Sequence, residues 1–471
     1  MFEFNLKSGD YSHIHFIGIG GISMSGLAEI LLSNNYKVSG TDSKDSPIIK
    51  RLEKLGAEIF LDHKKENILE ADLIVYTDAI SKDNVELKAA RDSKTQTIDR
   101  ASFLGALMKN YTYSIAVSGT HGKTTTTSML ASITNHGNLE PTVLLGGQLD
   151  DIGGNVKIDS DEYILTEACE YKGNILKYFP TMAIILNIDE DHLDYFSDLD
   201  HIIDTFKGYA RNLKEDSYLL ANIDDPSMGE VIRESKAKLV TFGFSKEADY
   251  RAEEVNYSED GYPSFILNIK NKKKFPLKLK VMGKHNIYNS LASIAAAHIY
   301  GVNIEEVLKN MSLYNGVHRR LEFKGNFNGA HIYDDYAHHP TEIKATLDAL
   351  QNKKDGEIYC IFQPHTFTRT KALLNSFSES FKGADQVIIT DIYAARESDT
   401  GEVHSRDLAK KIRGKDVNAI YLPSFKKIEE YLASNVEEDD IIITMGAGNI
   451  YAVGESLLDI EEESKLEKAV I

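Results

Sequence analysis

The chain has 471 residues, enough for about three domains of ordinary size, each with its own core. Apolar residues make up 42% and charged residues 27%, a soluble globular composition, and a formal charge of −19 argues against the basic face that a nucleic-acid partner needs. Cys169 and Cys360 stand too far apart for a metal-type spacing, the N-terminus lacks a signal-peptide core, and no apolar run reaches membrane-spanning length. The reading is a cytoplasmic protein with reduced thiols and no membrane partner.

Short apolar runs alternate with helical patterns from the start, which predicts an α/β fold of βαβ units. His13–Ile19, Lys37–Gly40 and Leu73–Tyr76 read as strands, with Ser25–Asn34 as a helix between the first two. Ser114–Val117, Tyr163–Thr166 and Met182–Asn187 form a second series, each ending beside polar residues. The basic run Lys270–Lys274, in a β-rich stretch, reads as a solvated hairpin turn. A third series follows Gly316: His331–Asp334, Glu357–Phe362, Gln386–Thr390 and Asp440–Thr444. Ligands of open α/β sheets bind at the carboxyl ends of strands, so the polar residues ending these runs are candidates. The last dozen residues, rich in Glu and Lys, read as a helix or a frayed tail.

The most informative segment runs from Val117 to Thr127. A buried strand leads into Gly119, Thr120, His121 and Gly122, and Lys123, Thr124 and Thr125 open a helix. In that context backbone N–H groups cradle phosphates, a lysine reaches the β/γ-phosphates and a hydroxyl holds Mg²⁺. Val117 replaces the first glycine of a complete phosphate loop. Gly18, Gly20 and Gly21 follow the first strand, and glycine there lets a backbone turn tightly beside a pyrophosphate. Asp42, at the end of the second strand, suits a ribose hydroxyl; a ligand-free strand–helix turn would read the same way. Two acidic clusters, Glu167 to Glu170 and Asp189 to Asp194 with His192 inside it, offer the oxygen donors Mg²⁺ takes. On spacing alone they also read as solvated loops. Asn286 and Asn289 lie one helical turn apart, able to offer donor and acceptor together. Asp334, Asp335, Tyr336, His338 and His339 end one strand before Pro340 opens a helix, and Gln363, His365 and Arg369 follow the next.

Together these motifs, in this order along nearly the whole chain, resemble the Mur ligase family, and its alanine-adding branch most. The resemblance implies three domains: an N-terminal Rossmann-like UDP-sugar domain over 1–108, a central P-loop-type ATPase sheet over 109–315, and a C-terminal Rossmann-like domain over 316–471 that closes on ATP and the amino acid. It implies UDP-N-acetylmuramate and L-alanine as substrates, with ATP and Mg²⁺. Gly18, Gly20, Gly21, Ser23 and Asp42 would hold the UDP-sugar, although Ser23 replaces a usual glycine. Gly119 to Thr125, Asn286, Asn289, Arg320 and Asp335 would hold ATP. Thr124, Glu167 and His192 would ligate metal, with Cys169 standing where many relatives have aspartate. Tyr336 and His365 would face the substrates, and Lys123, His338 and Arg369 would act in catalysis, His338 as proton acceptor. Lys207, fifteen residues after His192, matches a lysine that later-acting relatives carbamylate to bridge magnesium; by itself it reads as a solvated helix lysine. The remaining alternatives are a relative adding another amino acid or a whole peptide, an NAD-dependent dehydrogenase built on Gly18–Gly26, and a non-catalytic nucleotide-gated scaffold. The second leaves Lys123, Glu167 and His192 without a purpose.

Overall fold

The computed structural model describes residues 2–135, 139–270, 272–353 and 355–470, with side chains as far as 463. The chain divides into two compact units. The first comprises Met1–Asp189, Leu199–Arg251 and Asn289–Met311, and the second Glu190–Asp198, Ala252–Tyr288 and Ser312–Ile471.

The first unit begins with a five-stranded parallel sheet in the order Glu58–Phe60, Lys37–Thr41, His13–Ile17, Leu73–Tyr76, Gln96–Asp99. All five residues of His13–Ile17 are buried, as befits a central parallel strand covered on both faces. The expected strand ends two residues early because Gly18 takes φ +85°, turning the chain into the helix Ile22–Ser33. Strand order reverses between His13–Ile17 and Leu73–Tyr76, so a crevice opens at their carboxyl ends. Gly18 sits there, and a Cβ on it would lie 2.6 Å from Thr77 Cγ2.

The same unit holds strands Lys238–Gly243, Tyr218–Asn222, Met182–Ile185, Tyr113–Ser118, Tyr163–Glu167, Thr142–Leu149 and Gly154–Lys157, side by side in that order. They are parallel except for the final hairpin. Tyr113–Ser118 lies at the centre, and Val117 is paired with Glu167, so the loop after one strand meets the acidic end of its neighbour.

The second unit contains a six-stranded sheet in the order Glu322–Phe327, Ala330–Asp335, Ile441–Met445, Ile358–Phe362, Gln386–Ile389, Asn418–Tyr421. Only the first pair is antiparallel. Side chains alternate across it: Ile441, Ile443 and Met445 join Cys360 and Phe362 in one core, and Ile442 joins Ile332 and Ile361 in the other. Two covered faces explain why this strand is apolar at nearly every position. Pro263–Ile269 and Lys273–Lys278 form the hairpin expected around Lys270–Lys274, whose Asn271 lies outside the described residues. The C-terminal segment is helical over Tyr451–Val470.

Candidate active site

The loop after Tyr113–Ser118 is a tight glycine turn fixed from one side by Asn187. Gly119 and Gly122 have φ +128° and +84°, and a Cβ on Gly122 would come within 2.6 Å of Asn289 Oδ1. Only glycine fits that position. Asn187 clamps the loop: its carbonyl accepts from Thr120 N–H at 3.1 Å, and its side chain exchanges two hydrogen bonds with the His121 backbone, at 2.8 and 3.0 Å. His121 Nε2 lies 3.1 Å from an Asp189 carboxylate oxygen. Lys123 then starts the helix Lys123–Asn135, whose first turn includes Thr124 and Thr125.

Lys123 and Thr124 each meet one acidic residue at the end of Tyr163–Glu167. The Lys123 ammonium donates to Gly119 O, Thr120 O and the Glu170 carboxylate. The Thr124 hydroxyl donates to Glu167 at 3.1 Å, and Gly146 N–H donates to the other Glu167 oxygen at 2.6 Å. The first unit thus brings two of the expected metal ligands, Thr124 and Glu167, together. His192 belongs to the second unit, at φ +55°, with its backbone N–H bonded to its neighbour Asp191.

In the glycine loop after His13–Ile17, Gly20 N–H donates to Asp42 Oδ2 at 3.0 Å, and Lys44 N–H donates to Oδ1 at 3.3 Å. Asp42 therefore tethers the loop as well as standing near it. Ser23 lies within the first turn of Ile22–Ser33, a conformation any residue adopts, so its departure from glycine leaves the turn intact. A cavity of about 260 Å³ counts Ser23 and Glu167 among its lining residues. Arg100, which sequence reasoning passed over, lines it and donates to Ser23 Oγ at 3.2 Å.

Asn289 Oδ1 accepts from the Thr126 hydroxyl at 3.2 Å, and Asn286 Nδ2 donates to Met282 O at 2.7 Å. Both asparagines are buried.

In the second unit, the expected residues gather where Ala330–Asp335 and Ile358–Phe362 end. Arg319 and Arg320 place their guanidinium carbons 5.0 and 5.2 Å from the Tyr336 ring centroid. Arg319 is a strut: it bonds Asp334 at 3.1 Å and Gly446 O at 2.8 Å. Arg319 and Leu321 both carry positive φ, +61° and +48°, so Arg320 is held by strained backbone on either side. Asp335 accepts from Leu321 N–H, Ala337 N–H and the Thr346 hydroxyl. Burial pushes its pKa up to about 6, against the pull of Arg320.

His338 Nδ1 lies 2.9 Å from Tyr336 O, which assigns the proton to Nδ1 and leaves Nε2 as the acceptor. Burial lowers its pKa to about 4, with Glu342 opposing, so the ring is neutral near pH 7. His365 is likewise lowered to about 4, by burial first and then by His338 and Arg369, and it stacks on Tyr393. Arg369 Nη2 donates to Asp191 at 2.9 Å and Nη1 lies 3.3 Å from His365 Nδ1. Burial opposes the Asp191 charge, yet His192 and Arg369 together hold its pKa well below the usual carboxylate range. The role of Asp191 as partner to an arginine nearly 180 positions away had no local signal.

Three family models match in unbroken order: "Mur ligase family, catalytic domain" over residues 13–112, "Mur ligase middle domain" over 117–297, and "Mur ligase, glutamate ligase domain" over 319–448. The chain belongs to the Mur ligase family. A UDP-N-acetylmuramate–L-alanine ligase from Acetivibrio thermocellus is 51% identical over 454 residues, covering 96% of this chain and 97% of that protein. One of the same name from Caldanaerobacter subterraneus is 49% identical, covering 95% and 98%. Among solved structures, the UDP-N-acetylmuramate–alanine ligase of Thermotoga maritima matches with TM-score 0.80 at 28% identity, covering 96% of this chain and 99% of that one. A murein peptide ligase from Psychrobacter arcticus shares the fold, with TM-score 0.71 at 24% identity over 95% and 98%.

Within this Mur ligase, Lys207 is held by two carboxylates. Its ammonium bonds Asp204 at 3.2 Å and Glu230 at 2.6 Å, both within the first unit. Those bonds raise its pKa. Carbamate formation needs the neutral amine, which these bonds disfavour. Cys169 and Cys360 are free thiols, and burial pushes the Cys169 pKa up to about 11. Among the described residues no helix is long and apolar enough to cross a membrane.

Proposed function

We propose that this chain ligates L-alanine to the lactyl carboxylate of UDP-N-acetylmuramate, converting ATP to ADP and phosphate and giving UDP-N-acetylmuramoyl-L-alanine. The observation that carries the choice of substrates is the 51% identity, over nearly the full length of both chains, to a ligase of that name. Fold likeness alone would not choose, because this fold also serves a murein peptide ligase.

A carboxylate does not react with an amine, so it is first activated as an acyl phosphate by attack on the γ-phosphoryl of ATP. Gly119 to Thr125 cradle the phosphates, and Lys123 offsets charge on the transferring group. Asn286 and Asn289 face the adenine, and Arg320 grips phosphate oxygens with its planar fork. Asp335 takes the ribose; three of its roughly four lone-pair positions are already used inside the protein, leaving room for one hydroxyl. The Thr124 hydroxyl and Glu167 carboxylate are hard oxygen donors 3.1 Å apart and suit Mg²⁺, which neutralises phosphate charge when bound. His192 is assigned to the metal on family likeness.

The amine of alanine then attacks the acyl phosphate, and phosphate leaves from a tetrahedral intermediate. Arg369 and His365, with Tyr336, hold the amino acid. His338 presents a neutral Nε2 lone pair for the ammonium proton. Gly18, Gly20, Gly21, Ser23 and Asp42 seat the UDP-sugar. The reaction belongs in the cytoplasm, where ATP is available. Incubation with UDP-N-acetylmuramate, ATP, Mg²⁺ and a mixture of radiolabelled amino acids should give one labelled product, containing alanine. Preferential incorporation of D-glutamate or of an intact tripeptide would replace this reading.

A further inference from the structure

The cavity lined by Ser23 and Glu167 carries side chains of both charges. Glu167, held by Gly146 N–H and the Thr124 hydroxyl, supplies the negative one. Arg100, bonded to Ser23, supplies the positive one. Leu144 and Leu145 contribute apolar lining. Arg100 has five N–H donors in a rigid fork, and one is spent on Ser23 Oγ. No carboxylate pairs with it among the described residues. The adjacent Asp99 is committed elsewhere: its oxygens accept from Ser102 N–H at 3.0 Å and from Lys177 at 2.7 Å. Tyr178 is a second partner of Arg100 and Asp78 acts on it through its charge, but among the described residues no anion is bonded directly to the guanidinium, and a ligand oxyanion would fill that place. Next to it, Ile22–Ser33 starts at Gly21 with no side-chain cap.

We propose that Arg100 is a substrate-binding residue that grips the diphosphate of the UDP-sugar beside Ser23, and so orients the sugar with its carboxylate toward Glu167. The inference rests on the UDP-N-acetylmuramate reading above and adds a residue and a direction to it. A fork-shaped cation matches phosphate oxygens in two places at once, and the uncapped helix start offers backbone N–H groups to the same anion. The apolar lining then meets the sugar, and the Glu167 side of the cavity is left for the reacting carboxylate. Reversal would set that carboxylate against Arg100, away from Thr124 and Lys123.

The test is calorimetric binding without ATP, comparing wild type with Arg100→Lys and Arg100→Met. UDP-N-acetylmuramate and UDP-N-acetylglucosamine are the probes, since the second has the same diphosphate and no lactyl carboxylate. Arg100→Met should weaken both by roughly ten- to hundredfold, the loss of hydrogen bonds to a charged group. Arg100→Lys should fall between, and ADP affinity should not change. Thermal melts check folding, and the lysine variant carries the test if the methionine variant unfolds. Unchanged affinity for both sugars would overturn the proposal. A loss confined to UDP-N-acetylmuramate would overturn it too, by placing Arg100 on the carboxylate. Absence of UDP-N-acetylmuramate binding by wild type would instead remove the underlying functional reading.

Discussion

Glu170 takes the third proton of the Lys123 ammonium at 3.1 Å, the other two being shared with Gly119 O and Thr120 O. Glu170 is buried, only 2% exposed, and the Lys123 side chain is 16% exposed. Burial opposes the Lys123 charge, but the Glu170 carboxylate outweighs it and raises the pKa. The lysine that should meet ATP is therefore held ready by a carboxylate that incoming phosphate must displace or share.

Two variants separate these roles. Lys123→Ala should abolish ligation while leaving UDP-sugar affinity nearly intact. Glu170→Gln keeps a hydrogen-bond acceptor and leaves a largely buried cation without its partner, which is strongly destabilising. Its melting temperature should fall without nucleotide, and ADP should stabilise it more than it stabilises wild type. Equal ADP-induced shifts in the two proteins would rule out the exchange of Glu170 for phosphate.

Asp191 fixes one edge of the Arg369 guanidinium, leaving the rest of the fork for a substrate carboxylate. Asp191→Asn should raise KM for L-alanine by roughly tenfold or more, the worth of a charge-assisted hydrogen bond, with little change in KM for ATP. Steady-state kinetics with each substrate varied would decide. An effect on ATP alone would move Arg369 out of the alanine site.

Lys207→Ala should keep close to full turnover, and short carboxylic acids should not increase it. The two carboxylates beside Lys207 favour its protonated form, which does not react with CO₂. Loss of activity restored by acetate would revive the carbamate.

His15, fully buried in the strand leading to Gly18, has its pKa lowered from 6.5 to about 4, chiefly by burial. Below pH 6.5 the unfolded chain binds a proton that the folded chain refuses. Stability from this group is thus complete above pH 6.5 and is lost as pH falls toward 4, by about 3 kcal/mol in all. His15→Gln should flatten that part of the curve in urea unfolding measured from pH 7 to pH 4. An unchanged slope would assign the acid sensitivity to other groups.

Much of the site was legible because it is local. Residues 117–127 must form a strand, a tight glycine turn and a helix start, and that geometry needs only neighbours in sequence. The runs ending at Asp335 and before Gln363 were legible for the same reason, as apolar strands with polar ends. Ser23 raised doubt as a glycine replacement, but its place inside a helical turn removes the need for positive φ. The surroundings of Lys207 were not legible, because its spacing from His192 says nothing about Glu230, twenty-three positions further on.

Periodicity and the glycine-rich turns determined the α/β class and the series of strands, because alternation and tight turns are properties of short segments. Tertiary structure alone decided which charges meet. Glu167 reaches Thr124 because Tyr163–Glu167 pairs with Tyr113–Ser118, and Arg369 reaches Asp191 across 178 positions. Arg100 acquires its meaning only from the cavity it shares with Ser23 and Glu167. Coulombic and hydrogen-bond energies depend on distance and burial, and neither is a property of position in the chain.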